Sequence, residues 1–103
     1  MTVYAIAQGR IDDRDMFEEY APLARATLEA HEVKVIAFAE NAKMIEGSTD
    51  FPRTIILEFE SQEAFYRWYE SPEYQAARDI RVQCCQGAFA LVEGTAEDAD
   101  DER

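Results

Sequence analysis

Apolar and polar positions change period several times along the chain, and each change marks an element. Val3-Tyr4-Ala5-Ile6-Ala7 is a continuous apolar run of strand length within Thr2 to Gln8, closed by Gly9. Asp12 or Asp13 then offers a helix N-cap, with Asp15 and Glu18-Glu19 near the positive end of the macrodipole. Phe17, Tyr20, Ala21, Ala24, Thr27 and Leu28 fall on one face of a 3.6-residue period, so the helix runs to about Ala30. Pro22 interrupts the backbone hydrogen bonding inside it and predicts a kink. Val33 to Glu40 alternates as a strand, with a bulge expected at Asn41-Ala42-Lys43 before Met44-Ile45-Glu46 continues it. Gly47 to Pro52 is turn chemistry. Arg53 to Phe59 is a third strand centred on Ile55-Ile56-Leu57. Ser61 caps a short helix with Phe65 and Trp68 inward and Ala64 and Tyr69 beside them. Ser71-Pro72-Glu73 starts another, an N-cap followed by proline at the first helical position. That helix reaches about Cys84, Gly87 ends it, and Ala88 to Val92 is the fourth strand, closed by Glu93-Gly94.

The resulting order is β-α-β-β-α-β, the ferredoxin-like α+β arrangement: a four-stranded antiparallel sheet, first and third strands central, helices on one face. A sheet face open to water leaves polar residues at alternate strand positions. The first and fourth strands instead carry five consecutive apolar residues each, so both faces read as buried. The helices cover one. Only an acidic tail remains, so a second copy of the chain is the expected cover for the other, sheet against sheet, as a homodimer.

Length and charge narrow the partners. One hundred and three residues make one domain, residues 1–94, followed by a tail over 95–103. The tail has five carboxylates against one arginine and no large apolar residue, so disorder is expected there. Net charge is −12 with no basic cluster, which argues against nucleic acid and against an anionic membrane surface. No apolar run approaches the ~20 residues of a membrane span, and the start lacks the features of a signal peptide, so a cytoplasmic location is expected. Cys84 and Cys85 are adjacent; an ordinary disulfide between neighbours needs a distorted backbone, and both are expected reduced.

The ordered set Tyr4-Ala-Ile, Phe17 with Tyr20, Glu46-Gly47, Arg53, Glu58-Phe59, Trp68-Tyr69, Ser71-Pro72-Glu73-Tyr74, Arg81 and Val92-Glu93-Gly94 resembles a widespread bacterial family of domains of unknown function in the dimeric α+β barrel superfamily. The resemblance spans about Val3 to Gly94 and implies the same fold and dimer, without an activity. Two departures stand out. The family usually has Tyr-Gly-Gly after the first helix, where this chain has His31-Glu32-Val33, and Pro after the Glu-Phe pair, where this chain has Glu60.

Glu58 is the acid most exposed to question, because a carboxylate in an apolar strand is costly to bury unless paired or protonated. Arg81 is its expected counterpart: Tyr74, Ala77, Arg81 and Cys84 follow the inward side of the last helix. Arg53, at the start of the strand, is a second. One reading is an internal ion pair that seats the helix; the other is a pocket where Arg81 binds a carboxylate or enolate and Glu58 moves a proton. Arg53, Trp68, Tyr69 and Tyr74 are then candidate substrate-binding residues, against the plainer reading of the aromatics as core. His31, the single histidine, reads as a surface cap at the end of the first helix, against the alternative of a catalytic base.

Superfamily relatives include cofactor-free monooxygenases, isomerases and haem-degrading enzymes. The haem-degrading arrangement of Asn, Trp and His is not matched, since Trp68 stands without an Asn at Ala5, Ala7 or Gln8 and His31 is off the last helix. No glycine-rich phosphate loop, nucleophile elbow or H-E-x-x-H helix is present, and no metal or cofactor is expected. Two functional readings follow: a cofactor-independent enzyme acting on a small carboxylate- or carbonyl-bearing molecule, or a non-catalytic binding or interaction module.

Overall fold

In the computed structural model, which describes residues 1–95, the chain runs β1 (Val3–Ile11), α1 (Arg14–Ala30), β2 (Lys34–Ala39), β3 (Arg53–Phe59), α2 (Gln62–Tyr69), α3 (Pro72–Cys84) and β4 (Cys85–Glu93). The expected tail lies outside the described residues apart from Thr95. The strands form one antiparallel sheet in the order β2-β3-β1-β4. Among the described residues no helix is long and apolar enough to cross a membrane.

Strand parity decides the two faces. Val3 and Ala5 of β1 pair with Phe59 and Leu57 of β3, and all four are buried in one cluster with Ala24, Phe65, Trp68, Tyr74 and Ala77 from the helices. The other face carries Tyr4, Ile6 and Gln8 beside Glu58, Ile56 and Thr54, with Val92, Ala90 and Ala88 on β4. Tyr4, Ile6 and Ile56 are half-buried and Val92 is exposed. All three helices therefore lie on the odd-numbered face, and no described element covers the even-numbered one.

The helix ends show why the chain turns where it does. Asp13, Ser61 and Ser71 each accept a hydrogen bond from the backbone N–H three residues on, satisfying a donor that the first helical turn leaves free. At the end of α1, Val33 N–H donates to Leu28 O at 2.9 Å and Glu32 N–H to Glu29 O at 3.1 Å. This is a Schellman motif, and its left-handed position belongs to Glu32, with φ of 55°. The Glu thus holds the left-handed place in the His31-Glu32-Val33 turn without a glycine. His31 is the C-cap residue and half-buried, as its position predicts.

Several expected boundaries move. α1 runs through Pro22 to Ala30, the end expected for it. β1 continues past Gly9 to Ile11, because β4 is long enough to pair with it: Gly9 faces Gly87, and Ile11 faces Cys85. Gly87 does not end α3. The helix passes at Cys84 directly into strand at Cys85, with the Cys84 carbonyl accepting from Asp12 N–H at 2.8 Å and Asp13 N–H at 3.2 Å. Gly87 is required instead inside β4: its φ is 147°, and a Cβ there would collide with the Gln8 carbonyl oxygen and the Gly9 Cα. Met44-Ile45-Glu46 is not strand, since β3 begins only after Pro52 and leaves that segment nothing to pair with. Ala42 N–H instead donates to Pro52 O at 2.8 Å across the base of the connection. The irregularity in β2 falls between Val35 and Ala37.

Candidate functional site

The helix-facing side of the sheet is filled unevenly. At the Val3 and Phe59 end, α2 closes the layer with packed aromatics: Phe59 and Phe65 ring centroids are 5.3 Å apart, edge to face, and Trp68 and Tyr74 are 4.2 Å apart. At the Gly9, Arg53 and Cys85 end α1 and α3 face the sheet, and several positions there are Ala or Gly. Ala7, Gly9, Ala21, Ala24 and Gly87 leave a partly open cavity of about 700 Å³. That is within the size range of small-molecule sites.

Helical spacing aims the polar groups into this cavity. Tyr74 and Arg81, seven residues apart on α3, share its floor with Tyr20 of α1 and Arg53 of β3. Phe17, Trp68 and Phe89 supply apolar wall. The Tyr20 and Tyr74 hydroxyls are 3.3 Å apart. Arg81 Nε is buried with no hydrogen-bond acceptor, and among the described residues no carboxylate lies within ion-pair distance of its guanidinium. Arg53 lies 4.8 Å from the Phe17 ring centroid and 5.0 Å from that of Phe38. Its Nε is 3.4 Å from Glu40 Oε1, an ion pair by distance that lacks hydrogen-bond geometry, so this buried N–H too has no acceptor. Arg10 and Arg25 also line the cavity, both exposed, and Arg10 pairs with Asp12 at 2.7 Å. Among the described residues no Asp or Glu lines it. In a chain of net charge −12, the cavity is a cationic exception.

The surroundings shift the titrating groups. Burial chiefly, and then the neighbouring Tyr74 phenol, holds the Tyr20 hydroxyl well above the ordinary phenol range. Burial works against the Arg81 cation, but the Tyr74 and Tyr20 phenols outweigh it and the net shift is upward. Burial, then the Cys84 thiol, pushes Cys85 up to about 11, with Arg81 and Arg53 both pulling the other way. Both guanidinium groups are therefore close enough to Cys85 to act on it. The two thiols are free, with sulfurs 3.7 Å apart. Among the described residues no group of three or more His, Cys, Asp or Glu is placed to hold a metal ion.

The structure brings together Arg53, Arg81, Trp68 and Tyr74 of the expected site. Tyr69 stands just behind them, its ring 5.7 Å from Tyr74 and its hydroxyl accepting from Arg78 Nε at 3.0 Å. Glu58 is elsewhere. Its even parity points it to the opposite face, where it pairs with Lys34 Nζ at 3.6 Å, and the expected pairing with Arg81 or Arg53 does not form. Tyr20, Cys85, Phe17 and Phe89 are cavity residues that the sequence reading did not single out. For Tyr20 the signal was present: a phenol in the inward stripe of α1 needs a buried partner. A shallower depression of about 550 Å³ over α2 is lined only by exposed side chains, Gln62, Glu63, Tyr66, Arg67 and Glu70.

Comparison with known proteins bears on the fold. No curated protein sequence matches the chain. Among solved structures, a protein of unknown function from Rhodopseudomonas palustris matches with a TM-score of 0.75 at 16% identity, over 92% of this chain and 83% of that one. A dimeric ferredoxin-like protein of unknown function from Thermobifida fusca matches with a TM-score of 0.65 at 18% identity, over 91% and 92%. SnoaB, a cofactor-independent oxygenase from Streptomyces nogalater, matches with a TM-score of 0.62 at 14% identity, over 92% and 94%. At these identities the likeness establishes the ferredoxin-like α+β fold. Residues 2–95 match a family model, and the chain belongs to that family, the Domain of unknown function (DUF1330).

Proposed function

We propose that the chain is a cytoplasmic homodimer in which each subunit binds a small carboxylate- or carbonyl-bearing organic molecule, and acts on it without a cofactor, in the cavity between the sheet and helices α1 and α3. One observation carries this reading: at a cavity whose described lining holds no Asp or Glu, Arg81 buries an Nε–H without an acceptor or a carboxylate partner, and Arg53, ion-paired with Glu40, buries another. A buried, hydrogen-bond-deficient cation is costly unless a ligand completes it. An Arg fork matches a carboxylate or enolate in charge and geometry. Phe17, Trp68, Tyr74 and Phe89 give such a ligand an apolar body to lie against. Tyr69 holds the Tyr74 ring from behind, and Glu58, on the other face, takes no part. The described likeness to a cofactor-independent oxygenase and to a dimeric ferredoxin-like protein is consistent with the reading at the level of fold.

The dimer follows from the uncovered sheet face, whose centre is Ile6 and Ile56 flanked by Tyr4 and Val92. Free Cys84 and Cys85 suit a reducing compartment.

A non-catalytic binding module is the second reading, favoured by a cavity lining that among the described residues contains no carboxylate or imidazole. A thermal-shift screen of small carboxylic and keto acids tests the site. A ligand at a hundred times its Kd stabilises the fold by about 2.7 kcal/mol, and Arg81→Met should abolish the shift. A shift of equal size in Arg81→Met would overturn the assignment. Enzyme-dependent deuterium exchange beside the carbonyl of a bound keto acid, followed by NMR, marks the catalytic reading; binding without exchange marks the module.

A further inference from the structure

The cavity holds two kinds of anion-directed donor, and they differ in the oxygen they suit. Guanidinium groups offer paired N–H donors that match the two oxygens of a carboxylate. A phenol offers one hydrogen, along one direction. The Tyr20 and Tyr74 hydroxyls lie 3.3 Å apart, so one donates to the other and one hydroxyl hydrogen is left over. Among the described residues neither hydroxyl is seen donating to a further acceptor, and Tyr74 also interacts with Arg81. Tyr74 is almost fully buried, and both phenols line the cavity beside Arg81.

We propose that Tyr20 and Tyr74, together with Arg81, form an oxyanion hole in this cavity, and that the ligand is an organic acid bearing an acidic enol or phenol hydroxyl, bound as its oxyanion. The inference rests on the reading of the cavity as an organic-anion site and goes on to name the class of anion. The leftover phenol hydrogen points a single strong donor at a single oxygen, and its donor partner polarises it further. The Arg81 cation supplies charge at the same place, and Arg53, ion-paired with Glu40 on the sheet, shares the ligand's carboxylate with it. Both donors line the cavity before the ligand arrives, and Tyr74 is almost fully buried, the setting in which such donors favour a developing oxyanion most.

The remaining charged and titrating groups around the cavity agree. α1 contributes Arg25, β1 Arg10, β3 Arg53 and β4 the Cys85 thiol, none of them an anion at neutral pH, and the carboxylates paired with Arg10 and Arg53, Asp12 and Glu40, are not among the lining residues. Burial keeps the Tyr20 proton in place far above neutrality, so the phenol is a donor throughout the physiological range.

The probes are 4-nitrophenol, which loses its proton to the buffer on binding as phenolate, and 4-nitrobenzoate, which is a carboxylate throughout. Absorbance titrations across pH with the intact chain give the pKa of the bound phenol. We expect it at least one unit below that of the free phenol, a tenfold or greater preference for phenolate. Tyr20→Phe and Tyr74→Phe, which remove only a hydroxyl, should each cut that preference at least threefold and change 4-nitrobenzoate binding by less than twofold. Bound 4-nitrophenol with an unshifted pKa, or a preference untouched in both Phe variants, overturns the oxyanion hole while 4-nitrobenzoate binding keeps the organic-anion reading intact. Failure of both probes to bind at millimolar concentration overturns the two together.

Discussion

Trp68 Nε1 donates to Thr27 Oγ1 at 3.0 Å, and Thr27 Oγ1 donates in turn to Ala24 O at 2.7 Å, so a buried hydroxyl ties α2 to α1 across 41 residues of sequence. Both side chains are almost fully buried. Thr27→Val keeps the shape and strands the indole N–H, which should cost about 1–3 kcal/mol. Thr27→Ser keeps the acceptor and should cost about 1 kcal/mol, for the lost methyl. Urea denaturation of the two variants checks the order; a Val variant as stable as wild type would show that the hydrogen bond contributes nothing net.

Glu32 holds a left-handed backbone at the Schellman turn, where a side chain with a Cβ is disfavoured by about 1–2 kcal/mol. Glu32→Gly should therefore stabilise the fold by about 0.5–1 kcal/mol once the greater freedom of glycine in the unfolded chain is subtracted. For a domain of this size that is a rise in Tm of several degrees, readable by calorimetry. A fall in Tm would mean that the Glu32 side chain makes a compensating contact.

The even face of the sheet gives a paired test of assembly and of Glu58. Wild type should sediment at about twice 11.8 kDa, and Ile6→Glu, which places a charge at the centre of that face, should sediment as a monomer. Glu58 pairs with an exposed Lys34, so Glu58→Ala should cost no more than about 1 kcal/mol. A loss of several kcal/mol would place this ion pair beneath the second copy.

Alkaline pH should weaken the fold. Burial, then the Cys84 thiol, pushes the folded Cys85 thiol up to about 11, above its unfolded value, so its contribution is fully present below the unfolded pKa and is lost as pH rises from there through the folded one. The thiol is partly exposed, so after discounting for solvent the contribution is about 1 kcal/mol. Tyr20, shifted in the same direction, adds to the decline above the ordinary phenol pKa. Chemical denaturation at pH 8 and pH 10.5 should show wild type losing stability and Cys85→Ala losing less. Identical losses in the two proteins would remove Cys85 from the account.

The elements were legible because each has a local cause: the apolar run of β1, the inward stripe of α1, the Ser caps of α2 and α3. So were Arg53, Arg81, Trp68 and Tyr74 as a group, because Arg81 stands seven residues after Tyr74 on one helical face. Glu58 was misplaced by parity. Ile55-Ile56-Leu57 is apolar at every position, so the run itself does not say which alternate residues meet the helices; the larger set Ile55, Leu57 and Phe59 does, and it sends Glu58 the other way. The passage from α3 into β4 was hidden for another reason. Gly87 looks like a helix stop in sequence, whereas its demand is for close approach to β1 at Gly9.

That abrupt passage constrains how the cavity can diversify. Along the wall formed by α3 and β4 the helix becomes strand between Cys84 and Cys85, so residues cannot be added there without shifting Arg81 against Phe89. The opposite rim is made by the long connection 40–52, whose Phe51 reaches the cavity. Length variation is thus confined to one bank, and relatives that accommodate larger or smaller ligands should differ in the β2–β3 connection while the α3–β4 joint keeps its spacing.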